Sequence, residues 1–575
     1  MKIEIKNNNK NKINEIMSEL NTNSDCANVL LNRDLNDQLM YVIGNDDYYD
    51  LLPNDSIKNI PEAAKVIDKY LRNDKATIYI YGDYDNDGIQ STFIAYDCLT
   101  ALAEAIKNKY NLKDKCKIEY HVPEREEGYG LSADWCFDIV HNDIDNNNIL
   151  VITVDNGIAK RYEIDYLQAN NIEVIVTDHH CPQDDLIPNC IIVDELLDND
   201  NEYMGICGAG VIYKLCSYLL VDYYGDDSRY NEMYLPNVMT ATISDMVPVS
   251  LENSIFIRNG LQLLNDKDCI CSSSFEHYMS FRGYRKVLPK DIAFEYGPQI
   301  NACGRMGEAN TAIEFLLRDT NLTDIYNQVV ILNEERKQKT KDLFIEALPQ
   351  INENNLVHII VSNDAGGCAG LLANKIMTEY NRPAIVFAKH GNMYSGSARS
   401  IEGLDLQNIF HHLKLQNYIT SFGGHESACG VELTEEQFKD FQDIMNSIIY
   451  NILLANSNAE VKEPPYVIDK VLKAKEINNK TLELYKDLLF YGTLNPPKFY
   501  IDNVEIDDVI HSTNNENNIK FYFKDDSGKS NAWCWGFGET YEKLGSPKKV
   551  NIVFELEPFF NGQVVIKIDE MEAAI

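Results

Sequence analysis

Positive charge is what this chain has least of. Lys and Arg number 52 against 89 Asp and Glu, leaving a formal net charge of −37. A broad, non-specific grip on duplex DNA needs many Lys and Arg contacts to phosphate, and this balance argues against one. A narrow basic groove on an acidic body stays open, with divalent cations assisting any local affinity for nucleic acid. The 14 cysteines are scattered and form no CxxC pair, so no disulfide framework is indicated. The opening MKIEIKNNNK lacks the apolar core of a signal peptide. No run approaches the roughly 20 apolar residues of a membrane span. These absences lead to the expectation of a soluble, cytoplasmic protein with reduced thiols and no membrane contact.

What is present is a globular composition, 45% hydrophobic over 575 residues. That length is too great for one core and predicts three to five domains. From about residue 61, strand-like and helix-like stretches alternate. ATIYIYGD and KIEYHVP read as strands, and TFIAYDCLTALAEAIKNKY between them reads as a helix. NILVITVD and IEVIVTD are continuous β-branched runs. Continuous apolar strands separated by helices predict a parallel sheet covered on both faces. Residues 231–350 read as mainly helical, and LTDIYNQVVILNEERKQKTKDLFIEALPQI as one long helix or two stacked ones. A second alternating block spans 351–457, VKEPPYV (461–467) reads as a linker, and 465–575 is rich in short strands that predict a small β-barrel. Residues 1–60 read as a lead-in of helices and loops.

The densest chemistry lies in IYIYGDYDNDGIQST, residues 78–92, where Asp83, Asp85 and Asp87 stand at spacing two. A calcium EF-hand loop begins this way but needs Glu at its twelfth position, and counting from Asp83 that residue is Ile94. The preceding segment is also strand-like rather than helical. Two further apolar strands end in metal-ligand types: VITVDNG at Asp155 and VIVTDHH at Asp178, His179 and His180. Taken singly, Asp155-Asn156-Gly157 reads equally as a turn and Asp178 as a helix N-cap. In a parallel sheet, however, ligands bind beyond the carboxyl ends of the strands, where these three ends converge. Carboxylates with one or two imidazoles and no thiolate favour Mn²⁺ or Mg²⁺ over zinc or copper. Several shared carboxylates suit two ions, the arrangement that clamps both oxygens of a phosphoryl transfer and lowers the pKa of a bound water.

GDYDNDG, TVDNG and TDHH resemble the first three motifs of the DHH phosphoesterase superfamily. GICGAGVIYKL (205–215), TISDMVPVSLEN (242–253) and YGPQINACGRMG (296–307) resemble its RecJ branch, and GSARSIEG (396–403) and SFGGHESACG (421–430) resemble the DHHA1 domain. YGTLNPPKF (491–499) resembles the segment leading into the branch's OB-fold. The resemblance implies a catalytic DHH domain over 61–230, a helical connector, a DHHA1 domain and an OB-like domain. It implies a 5′→3′ exonuclease of single-stranded DNA that releases 5′-mononucleotides, with two Mn²⁺ or Mg²⁺ ions. Metal ligation falls to Asp85, Asp87, Asp155, His179 and Asp245, with Asp83 as a ligand or a support. His180 lies near the scissile phosphate and Asp155 bridges the ions. Arg125 and Tyr129 match a segment beside the mouth of the strand path. Asn301 and Arg305 match the nucleic-acid path, Ser397 and Arg399 the anchor of the terminal phosphate, and Gly424 and His425 the turn that closes it.

The resemblance also implies work as a monomer, with a single-strand-binding protein or a helicase as partners. Other readings are a phosphodiesterase for short oligonucleotides or cyclic dinucleotides, and a partner-dependent replication or repair scaffold with weak nuclease activity. Two positions depart from the pattern. Tyr81 replaces a His, which predicts a weaker hold on one ion. Gln299 replaces an Arg, which predicts one basic group fewer along the nucleic-acid path. Trp533, Trp535, Phe537, Phe559 and Phe560 read mainly as barrel core, with a base-stacking platform as the second reading.

Overall fold

A computed structural model describes residues 2–6, 8–19, 22–33, 51–142, 148–182, 185–197, 205–226, 230–248, 250–266, 272–318, 320–401, 403–457, 465–485, 496–513, 515–558 and 563–574. Most of the expected linker at 461–467 and the first residues of YGTLNPPKF lie outside the described residues. The first sheet is built from β1 (Thr77–Tyr81), β2 (Lys117–His121), β3 (Ile149–Val154), β4 (Glu173–Thr177) and β5 (Ile191–Val193). All pairings are parallel, in the order β2-β1-β3-β4-β5. Alternate residues of each strand feed two cores. Ile78, Ile80, Leu150, Ile152 and Ile175 point to one, while Tyr81, Ile149, Val151, Val174 and Val176 point to the other. Burial on both faces is why these runs are apolar without alternation. β2 and β3 lie on opposite sides of β1, so the sheet's switch point is at the end of β1, against β3, with Tyr81 opposite Thr153. Ligand crevices form at such points.

Helix α1 (Asn86–Tyr110) follows β1, and α2 (Gly208–Ser217) and α3 (Leu235–Ser244) pack with it. Helices over 235–332 share the sheet's larger core, including α4 (Gly297–Met306). The long stretch after residue 321 is one helix, α5 (Leu322–Ala347). Its first half buries Tyr326 and Val329 in that core; its last turns bury Leu343 and Ala347 against the next domain. That domain is a mixed sheet of β6 (His358–Val361), β7 (Ala384–His390), β8 (Met393–Arg399), β9 (Ser421–His425) and β10 (Ala428–Thr434), ordered β9-β10-β8-β7-β6.

The C-terminal strands are β11 (Phe499–His511), β12 (Ile519–Asp525), β13 (Gly528–Cys534), β14 (Lys549–Pro558) and β15 (Val564–Ala573). They close on themselves: β11 pairs with both β12 and β14, and β13 joins β15 in parallel. Closure leaves few edges and defines the barrel. The N-terminal segment belongs to it. Ile3–Glu4 pairs with Tyr466–Val467, and Ile16, Val29 and Leu30 enter the barrel core. Asp469 fastens this junction, accepting hydrogen bonds from Asn32 and from both terminal nitrogens of Arg33. The structure is thus α/β and multidomain, with a parallel-sheet domain, linking helices, a second α/β domain and an OB-like barrel.

Candidate metal centre and its arginine cluster

The end of β1 turns over the sheet into α1, and the turn is made of acids. Asp85 is the N-cap of α1, its Oδ1 accepting the Gly88 N–H at 3.1 Å. Two residues on, Asp87 is buried, and its two oxygens accept the N–H groups of Gly208 and Ala209, each at 2.7 Å. The N-terminus of α2 thereby fixes Asp87 and offers it a favourable dipole. Gly208 must be glycine, because a Cβ there would lie 2.6 Å from Asp155 Oδ1.

Asp155 follows β3 with a left-handed φ of 61°, held by its N–H to Thr177 O at 3.0 Å. A non-glycine residue in that region carries strain, which concentrates at functional sites. Asn156 Nδ2 reaches across to the carbonyls of Tyr81 and Gly82 at 3.2 and 3.1 Å, tying the β3 turn to the β1 turn. Asn156 is therefore more than the turn former its sequence suggests. Asp178, after β4, accepts the N–H groups of Ile158, His179 and His180 and the ring Nδ1–H of His180 at 2.7 Å. Burial lowers the basicity of His180, but its bond to Asp178 outweighs this and its pKa rises to about 9. Nε2 of His180 lies 2.9 Å from the Tyr129 hydroxyl.

These pieces assemble two adjoining ligand sets. Asp83, Asp85 and Asp155 converge in one; Asp87, His179 and Asp245 converge in the other; Asp155, His179 and His180 also converge, overlapping both. His179 Nε2 is 3.1 Å from Asp155 Oδ1, 3.6 Å from Asp87 Oδ2 and 3.9 Å from Asp245 Oδ2. Asp155 therefore stands between the sets, and its buried Oδ1 receives no hydrogen bond. Burial, then the charge of Asp85, pushes Asp83 up to about 8 and Asp87 up to about 6. Burial and Asp87 raise Asp155 well above the carboxylate range. A carboxylate cluster this strained by its own charge fits cations. Asp83 converges as closely as the other acids.

Beside the acids, three arginines from distant segments, Arg125, Arg305 and Arg399, lie within electrostatic range of one another. Arg125 lies near enough to Asp83, and Arg305 to Asp85, to stabilise those charges. Arg305, on α4, donates to Gly367 O at 3.0 Å. Burial, then the like charges of Arg125 and Arg399, lowers its pKa to about 10. Arg399 donates to Ala398 O and Ser397 Oγ, at 2.8 and 3.3 Å. β10 runs beside it, and Gly424, with φ 130°, lies at the β9–β10 turn. The side chain of His425 is outside the described residues, as are Phe559 and Phe560.

Other motif positions take part in the packing around the site. Asn301 accepts the Asn86 N–H at 2.7 Å, bracing the loop between Asp85 and Asp87. Gln299 is buried and accepts from the Tyr326 hydroxyl at 3.0 Å, so it faces the helical core rather than a nucleic-acid path. Tyr81 is fully buried on the far face of the sheet, donating to Gly130 O at 3.2 Å and accepting from Ser132 N–H at 3.2 Å. It braces the loop that carries Tyr129. Trp533 and Trp535 are not barrel core: their rings stack at 5.3 Å on the outside, with Trp535 45% exposed. Sequence alternation could have signalled this, since Ala532 and Cys534 take the inward positions.

Fold and site together define a DHH-type phosphoesterase scaffold. Residues 77–244 match the N-terminal domain of the DHH family, 353–451 the DHHA1 domain and 468–569 the RecJ OB domain. The chain is thus a RecJ-like member of the DHH/DHHA1 superfamily. It is 26% identical to the single-stranded-DNA-specific exonuclease RecJ of Bacillus subtilis, over 97% of this chain and 68% of that one. To the Escherichia coli protein of the same name it is 27% identical, over 78% of each. Thermus thermophilus RecJ, crystallised with Mn²⁺, shares the fold at a TM-score of 0.76 and 21% identity, covering 100% of this chain and 79% of that one.

Proposed function

We propose that this chain is a metal-dependent exonuclease that hydrolyses single-stranded DNA from its 5′ end and releases 5′-mononucleotides. The observation that carries this is the pair of ligand sets meeting at Asp155, with a cluster of three arginines, Arg125, Arg305 and Arg399, beside them. Asp83, Asp85 and Asp155 would hold one Mn²⁺ or Mg²⁺, and Asp87, His179 and Asp245 the other, with Asp155 shared. Bound there, two such ions supply charge stabilisation to the transferring phosphoryl group and acidify the attacking water.

The chain's own residues do the rest. The arginines receive phosphates of the strand; a guanidinium fork suits phosphate and cannot lose its charge. Ser397 and Arg399, side by side on β8, take the terminal 5′-phosphate. His180, held by Asp178 through Nδ1, turns its Nε2 from the Tyr129 hydroxyl to an oxygen on the scissile phosphate. Trp533 and Trp535 offer stacking faces to bases further along, with Lys520 5.7 Å from the Trp533 ring. The twelve described cysteines are all free, which supports a reducing, cytoplasmic setting. There a helicase or a single-strand-binding protein supplies the strand. No described helix is long and apolar enough to cross a membrane. The test is digestion of 5′- and 3′-labelled single strands and duplexes with Mn²⁺ or Mg²⁺. Release of 5′-labelled mononucleotide from single strands alone is expected; release from the 3′ label first would contradict the polarity.

A further inference from the structure

Tyr84 sits between two acids of the metal centre yet its side chain belongs to the arginine cluster. The Arg125 guanidinium lies over its ring, 4.5 Å from the centroid. Among the described residues Arg125 has no ion pair, and its buried Nε has no hydrogen bond. Its charged neighbours are Arg305 and Arg399, which repel it, and Asp83, which attracts it without a hydrogen bond. These charges pull and push the guanidinium, but no hydrogen bond to its Nε sets its orientation. The negative face of an aromatic ring does so, more strongly where water is excluded.

The ring is itself fixed. Tyr84 is 9% exposed, and its N–H donates to Asp83 Oδ1 at 2.8 Å. From the other side α4 presses on its backbone: a Cβ on Gly304 would lie 2.3 Å from Tyr84 O. Gly304 precedes Arg305, and Asn301 on the same helix holds the Asn86 N–H. One short loop thus sets the acids through Asp83 and Asp85 and sets an arginine through the residue between them.

We propose that Tyr84 is the positioning residue of Arg125: its ring face aims the guanidinium at the strand's phosphate, in fixed register with the metal centre. The proposal rests on reading Arg125 as a phosphate-binding group. It assigns Tyr84 a part in binding the strand and none in binding cations.

The test keeps shape constant and removes only the ring's negative face. Tyr84 is replaced by Phe, then by phenylalanines carrying one, two and three fluorines, in the full-length protein. Tyr84→Phe is expected to stay within about twofold of the parent. Progressive fluorination is expected to raise KM for a 5′-labelled strand, reaching about five- to thirtyfold, with kcat and the Mn²⁺ titration midpoint unchanged. In an Arg125→Ala background the same series is expected to be flat. A flat series with Arg125 present, a gradient that survives Arg125→Ala, or a Mn²⁺ midpoint that moves with fluorination each overturns the proposal. If Arg125→Ala alone leaves KM unchanged, the phosphate reading of Arg125 fails and this proposal with it. A gradient missing while Arg125→Ala raises KM sinks the role of Tyr84 alone.

Discussion

Asp155 Oδ1 lies 3.1 Å from His179 Nε2 and accepts no hydrogen bond, although it is buried and its backbone is held left-handed. An acceptor in that position is costly unless a cation completes it. Asp155→Asn keeps the shape and removes the charge. Cleavage should fall by about a thousandfold or more, in keeping with loss of a group central to transition-state stabilisation. A fully active Asp155→Asn protein would remove Asp155 from the centre.

Cations should stabilise the fold, and more so at higher pH. Asp83 rises from 3.8 to about 8 and Asp87 from 3.8 to about 6. A carboxyl whose folded pKa is raised favours the fold below its unfolded pKa and loses that contribution as pH climbs through the folded value. Metal-free stability should therefore decline between about pH 4 and 8. Mn²⁺ at 100 times its Kd adds about 2.7 kcal/mol, or roughly 5–11 °C in Tm for a domain of this size. Calorimetry with and without Mn²⁺ should show a gap that widens from pH 6 to pH 8; a constant gap would contradict the assignment.

The arginine cluster should show itself through salt. Replacing Arg305 or Arg399 with Ala should raise KM about tenfold. It should also reduce the slope of log affinity against log salt by about 0.7 for each single-strand phosphate left unneutralised. Lys in place of Arg399 should restore the slope but not the full affinity, since it cannot donate as a fork. Binding isotherms at graded salt measure both.

The tryptophan pair should matter for long strands only. Trp533→Ala and Trp535→Ala should each cost about 1–3 kcal/mol of binding to a strand that reaches the barrel. Neither should change cleavage of a strand of a few nucleotides. Equal effects on short and long strands would place the cause in folding rather than stacking.

How much of this was legible in the sequence follows from which features are local. The β-branched runs ending at Asp83, Asp155 and Asp178 announced a parallel sheet and its ligand end, because period and composition are local properties. The roles of Asn156 and Asn301 were not legible: each side chain meets a backbone group many residues away. Gln299 occupies a motif position, yet the packing of α4 on α5 turns it to Tyr326. The pairing of Ile3–Glu4 with Tyr466–Val467 spans most of the chain, and no short-range pattern encodes it.

The central claim is that two cations share Asp155. Anomalous diffraction from crystals soaked in Mn²⁺ tests it most directly. Two peaks about 3.5–4 Å apart are expected, one against Asp83, Asp85 and Asp155, the other against Asp87, His179 and Asp245, both lost in Asp155→Ala. A single peak, or two that persist without Asp155, would contradict it.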